Sequence, residues 1–174
     1  MSQTVQQSAM RTIRVGKVVI NIGLGKSGEA IERGKKVLEQ ITKQKASQRR
    51  AKRAIRDFGV HEGEPIGVLV TVRGKETTDL ISRLLVAREK KLQSSCFDGR
   101  GSISFGIKEH IEIPGIRYDP AIGILGMNVS VVLERPGYRV TRRLRRTAKV
   151  GHRHIINKEE AIEFFRAKFG AVVE

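Results

Sequence analysis

KVVINIGLGKSG, residues Lys17–Gly28, is the stretch whose reading decides the fold. Its first half alternates, with Val18, Ile20 and Ile22 on one face and Lys17 and Asn21 on the other, which is the period of a half-buried strand. Its second half, Gly23-Leu24-Gly25-Lys26-Ser27-Gly28, runs into a helical pattern from Glu29 to about Thr42. Ala30, Ile31, Gly34, Val37, Leu38 and Ile41 form the buried stripe of that helix. A strand, a G-x-G-x-x-G turn and a helix together make the fingerprint of a dinucleotide-binding enzyme. That fold needs a second, parallel strand closed by an acidic residue about twenty positions on. The region concerned is Lys43–Arg56, KQKASQRRAKRAIR, which contains no acid at all. The Walker pattern fails as well, because its opening glycine falls on Ile20. The glycines are therefore read as a tight strand-to-helix turn whose backbone amides suit a phosphate.

Downstream, Ile55–Val60 and Ile66–Arg73 read as two strands of a hairpin around His61–Pro65. Thr77–Lys91 reads as a helix with Leu80, Ile81, Leu84, Leu85 and Arg88 in helical spacing. Phe97–Gly101 is a turn, and Ser102–Lys108 alternates with Ile103, Phe105 and Ile107 on one side. Glu109–Met127 is punctuated by Pro and Gly and reads as loop. Asn128–Glu134 is a further strand with Val129, Val131 and Leu133 inward. Asn157 and Glu160 have the spacing of a capping box for a last helix that carries Ala161, Phe164, Phe165, Lys168 and Phe169. Strands with one polar face and no strict β-α-β order give an α+β fold: two layers, a mostly antiparallel sheet, helices on one side. One domain over residues 1–174 is expected, with residues 1–10 a flexible leader. The uncovered sheet face would present Lys17, Asn21, Thr71, Arg73, Ser102, Ser104, Gly106, Lys108, Asn128 and Ser130.

The charge is placed as well as large. The chain has 34 Lys and Arg against 18 Asp and Glu, a formal net charge of +16. Lys43–Arg56 holds seven cations, and Arg135–Arg153 holds eight, neither with an acid. Outside these two runs, 19 basic and 18 acidic residues balance. One-sign runs repel themselves unless something anionic meets them, and nucleic-acid phosphates are the partner such runs fit. The open face, small and cationic without an aromatic platform, suits structured RNA read by shape more than stacked single strands.

Other chemistries find little support. Cys96 is alone, so no intrachain disulfide forms and a reducing, cytoplasmic setting is expected. His152 and His154 lack zinc-ligand spacing with it, and no metal or cofactor is expected. The adjacent pairs His61-Glu62 and Glu109-His110 point to opposite faces if they lie on strands, which leaves no convergent acid–base site. No apolar run approaches membrane-spanning length.

The motifs carry a resemblance. Lys17–Gly25, Pro65-Ile66-Gly67 with Val70–Gly74, Phe97–Gly101, Phe105–Glu109 and Tyr118-Asp119-Pro120 together resemble the large-subunit ribosomal protein L5 family. The tail from Arg135-Pro136-Gly137 through Arg142-Arg143 to Lys158-Glu159-Glu160 resembles its archaeal and eukaryotic branch. The resemblance implies a non-enzymatic role: binding 5S rRNA and anchoring it with the large rRNA in the central protuberance, beside neighbouring large-subunit proteins. It also implies a contact with peptidyl-site tRNA and a bridge to a small-subunit ribosomal protein. By motif, Lys17, Asn21, Phe58, Thr71 and Arg73 would touch 5S rRNA. Gln48, Arg49, Arg50, Lys52, Arg53 and Arg56 of the basic loop would face tRNA. Arg139, Arg142, Arg143, Arg145 and Arg146 would make a further rRNA contact.

Concentrated charge predicts a steep salt response. With roughly six to ten phosphates neutralised, a fourfold rise in salt should weaken RNA binding by about three to five decades. A flat titration by filter binding would mean that the basic runs do not meet phosphates.

Overall fold

β1 (Arg14–Gly23) is the strand around which the sheet is assembled. Val18, Ile20 and Ile22 are at most 1% exposed, and the residues between them stay half-buried on the other face. β1 pairs antiparallel with β3 (Pro65–Val72) on one side and β6 (Met127–Glu134) on the other. β2 (Ser47–Arg50) and β5 (Ser102–Ile107) complete the order β2-β3-β1-β6-β5. All four pairings are antiparallel, which rules out the doubly wound parallel sheet that the glycine pattern had raised. This computed structural model describes residues 8–25, 27–116 and 118–174. The expected leader therefore lies largely outside the described residues, as do Lys26 and Arg117.

The helices form the second layer. α1 (Glu29–Thr42) has the bounds that its sequence pattern gives, and it stops at Lys43, which turns into the left-handed region at φ 55°. Gly34 lets it sit close on the sheet: a Cβ there would lie 2.9 Å from Val68 Cγ2 and 3.0 Å from Leu24 Cδ1. α2 (Glu76–Val86) buries Leu80, Ile81, Leu84 and Leu85. α3 (Lys158–Phe169) opens on the expected capping box of Asn157 and Glu160 and closes at Gly170, φ 63°. Its Phe165 meets Phe97 edge to face, with centroids 5.9 Å apart. Burial of each such side chain contributes roughly 1.5–3 kcal/mol, and all three helices feed one contiguous apolar cluster with the inward sheet residues. The protein is an α+β fold with an antiparallel sheet and its helices on one face.

Four local readings differ from the structure. Lys43–Arg56 is not wholly loop: Ser47–Arg50 forms edge strand β2 against β3. Its residues are all exposed, so the strand shows no apolar alternation, and its arginines discourage pairing with another chain. Ile55–Val60 is not a strand; a single bridge joins Ile55 to Val60 across the short helical turn Arg56–Phe58. The second helix ends at Val86 and not at Lys91, because Glu89 and Lys90 take φ values of 54° and 59°. Leu92 is then buried through a two-residue parallel pairing of β4 (Lys91–Leu92) with β7 (Val172–Val173). β1 also starts three residues before Lys17, through a bulge between Val15 and Lys17. At that bulge a Cβ on Gly16 would overlap the Glu134 carboxylate at 2.2 Å.

The long connection 109–126 is closed by His110, which is 1% exposed. Its amide donates to the Leu125 carbonyl at 3.1 Å, and its Nδ1 accepts from the Leu125 amide at 3.3 Å. Burial pushes its pKa below the usual 6.5, against smaller opposing effects of that hydrogen bond and of Glu109. A histidine depressed in the folded state binds protons more readily when unfolded, so its contribution is present above about pH 6.5 and is lost as pH falls below it. Urea midpoints at pH 7.5 and 5.5 should therefore fall further for the wild type than for His110→Gln, which keeps an acceptor without a charge. Equal falls would mean that His110 does not sense pH.

Candidate nucleic-acid interface

The open face follows from the register. Cross-strand partners share a face, and alternate residues along a strand return to it. One row runs Thr71–Val19–Ser130–Ser104, its last two hydroxyls 3.0 Å apart. The next runs Ser47–Leu69–Asn21–Asn128–Gly106. A third carries Lys17, Val132 and Ser102, and Arg73 follows Val72 beside Lys17. At the other end, Arg49 lies in register with Gly67 and Gly23. No carboxylate and no aromatic ring stands on these rows. Lys17, Arg49 and Arg73 make no ion pair among the described residues. Serines and glycines keep the surface low, so a sugar-phosphate chain can approach the cations and hydroxyls closely.

Two cationic segments flank this face at opposite ends. Residues 51–64 connect β2 to β3 as a hairpin loop, tied by Ala51 N to Glu64 O at 2.8 Å and by reciprocal bonds between Ile55 and Val60. Lys52, Arg53 and Arg56 are exposed on it. Phe58 sits near the tip, 76% exposed, apart from the sheet-face residues with which its motif groups it. Leu24, Ile55, Phe58, Val60 and Ile66 line a cleft of about 830 Å³ beneath the hairpin. In the glycine turn beside it, the Leu24 and Gly25 amides both donate to Ile66 O at 3.0 Å and so are taken up within the fold.

The second segment, 135–156, leaves the far end of β6. Since β1 has ten residues at about 3.3 Å each, roughly 30 Å separates the two ends. Arg135, counted among the cations of the run, is only 5% exposed and points inward. Its guanidinium donates to Glu160 Oε1 at 2.7 Å and, more weakly, to the His154 and Ile155 carbonyls. Tyr138 Oη donates to His154 O at 3.2 Å, which draws the two limbs of the segment together. Arg142 pairs with the buried Glu134, and Arg143 Nε donates to Arg146 O at 2.7 Å. Arg139, Arg145 and Arg146 turn outward around Leu144, itself 97% exposed. The sequence signalled the cations but not which of them are spent inside the fold.

A two-layer α+β protein with one polar, acid-free sheet face and a cationic segment at each end belongs to the class of RNA-binding structural proteins in its physical design. Two family models match: "Ribosomal protein L5" over residues 8–61 and the C-terminus of the same ribosomal family over residues 65–164. A large ribosomal subunit protein uL5 from Pyrobaculum aerophilum is 49% identical over 165 residues, 95% of this chain and 92% of the relative. Its counterpart from Nitrosopumilus maritimus is 49% identical over 99% of both chains. That from Sulfurisphaera tokodaii is 45% identical over 99% of this chain and 98% of its own length. The chain belongs to the ribosomal protein L5 family, in its archaeal and eukaryotic branch. Among the described residues no group of three His, Cys, Asp or Glu could hold a metal ion, and no helix is long and apolar enough to cross a membrane.

Glu160 has two tasks, the α3 cap and the buried Arg135. Burial raises its pKa, but the Asn157 amide and Arg135 outweigh that and hold it below the ordinary carboxylate value. Glu160→Ala should cost about 3 kcal/mol, because it strands a buried guanidinium and removes a cap. Glu160→Gln should cost less, since its one amide oxygen can still accept one of the two bonds, which in Glu160 go to separate oxygens. Urea unfolding compares them; identical losses would mean that the Arg135 contact contributes little.

Proposed function

We propose that the open sheet face binds 5S rRNA through Lys17, Asn21, Thr71 and Arg73, and that the two cationic segments join it to other RNAs of the ribosome. The observation that carries this reading is the acid-free set of rows across four strands, flanked by exposed cations of the two segments. Phosphates and 2′-hydroxyls are the chemistry those side chains meet. Arg139, Arg145 and Arg146, with Arg142 and Arg143 partly committed within the fold, supply a further rRNA contact that anchors 5S rRNA in the central protuberance. Lys52, Arg53 and Arg56 face the peptidyl-site tRNA. Gln48 and Arg50, on the edge strand, flank that contact, and Arg49 belongs by its register with the sheet face. Phe58 joins the RNA contact from the hairpin. The same protein reaches a small-subunit protein across an intersubunit bridge. Its setting is the ribosome in the cytoplasm.

Two variants test the division of labour. Arg73→Glu exchanges an attraction for a repulsion at the sheet face and should cost 5S rRNA binding more than roughly 2 kcal/mol, with unchanged circular dichroism. Replacing Lys52, Arg53 and Arg56 together by alanine should leave 5S rRNA binding within a few-fold and speed peptidyl-site tRNA dissociation from reconstituted ribosomes. If 5S rRNA binding survives Arg73→Glu but collapses in the triple variant, the assignments are reversed.

A further inference from the structure

A cleft of about 930 Å³ opens between the turn at 97–101 and the returning limb of the 135–156 segment. It lies at the outer edge of the sheet, beside the start of β5, and none of its lining residues is assigned above to an RNA contact. Arg100 stands on one wall, Lys149 and His152 on the other, and Tyr138 within. No carboxylate lines it. Of the carboxylates near it in the chain, Asp98 Oδ1 accepts the Arg100 and Ser102 amides at 2.8 and 2.7 Å, Glu160 is paired with Arg135, and Glu159, two residues past Asn157, is exposed. Arg100 and Lys149 form no ion pair among the described residues. Tyr138 is half-buried and its hydroxyl is fixed on the His154 carbonyl, so its ring is a set wall and not a mobile side chain. Gly99 and Gly151 leave bare backbone on both sides, where an added Cβ would meet nothing within 4 Å.

We propose that this cleft is a separate RNA site, one that takes an unpaired nucleotide with its base against Tyr138 and the flanking phosphates against Arg100 and Lys149. The volume is of the size that holds small-molecule ligands. A cationic mouth over a fixed aromatic ring is the combination that grips single-stranded nucleic acid, the phosphates by charge and the base by stacking. The open sheet face has the charges without the ring, so the two sites ask for different RNA. The cleft would hold a bulged or looped nucleotide of an RNA other than the one on the sheet face. This inference rests on the RNA-binding reading above.

The test uses the full chain with three fluorescent probes: 5S rRNA, a twelve-residue oligouridine, and the same oligomer with abasic residues. The wild type should bind oligouridine more tightly than the abasic chain. Arg100→Glu with Lys149→Glu should weaken oligouridine at least tenfold and leave 5S rRNA within about threefold. Loss of two phosphate contacts should also lower the log–log salt slope by about 1.4, at about 0.7 per contact for single strands. Tyr138→Leu should erase the preference for oligouridine over the abasic chain. Tyr138→Phe, which keeps the ring without the hydroxyl, should retain it and guards against a merely unfolded segment. Oligouridine binding unchanged in the double variant would overturn the proposal, as would equal binding of the abasic chain by the wild type. Either result with 5S rRNA still bound overturns this site alone, whereas a wild type that binds neither RNA overturns the RNA-binding reading itself.

Discussion

An antiparallel sheet covered by helices on one side must bury its apolar residues at every second position of each strand. Val18, Ile20 and Ile22 on β1, Val68, Val70 and Val72 on β3, and Val129, Val131 and Leu133 on β6 meet that demand. The same period commits the intervening residues to the solvent face, where Lys17, Asn21, Thr71 and Ser130 stand. The proposed RNA surface is thus the reverse side of the core. Neither can slip by one residue without exchanging its side chains with the other.

Electrostatics then decides where the remaining charge can go. Two acid-free runs on a small protein repel each other, and the topology sets them at opposite ends of β1. The fold neutralises only what it needs: Glu160 takes Arg135, and Glu134 takes Arg142. Both pairs fix the root of the second segment and leave its outer arginines for a partner. A summed positive field of this kind raises association rates as well as affinity. The fold therefore offers three distinct surfaces: a hairpin with an exposed ring, a low polar sheet, and an arginine loop.

Much of this was legible in the sequence, for identifiable reasons. The limits of α1 follow from its apolar stripe, and the inward faces of β5 and β6 follow from alternation strong enough to outweigh their surroundings. The absence of acid after the glycine turn was enough to reject a parallel sheet. What escaped lacked a periodic apolar signal. β2 is Ser-Gln-Arg-Arg and is held by backbone bonds to β3, so its pairing is a long-range event without a local mark. Arg49 is for that reason a sheet-face residue and not part of the loop. The pairing of Lys91–Leu92 with Val172–Val173 is too short to have a pattern, and it shortens α2. The inward turn of Arg135 depends on Glu160, which lies 25 residues further along the chain.

The central claim is that RNA lies on the polar face of the sheet and not on the helical layer. Site-specific cross-linking measures this directly, with a photoreactive benzophenone side chain placed at Ser104 on the open face or at Glu163 on the exposed side of α3. Irradiation of each protein bound to 5S rRNA should give an RNA adduct from position 104 and none from position 163. Adducts from 163 with none from 104 would contradict the account.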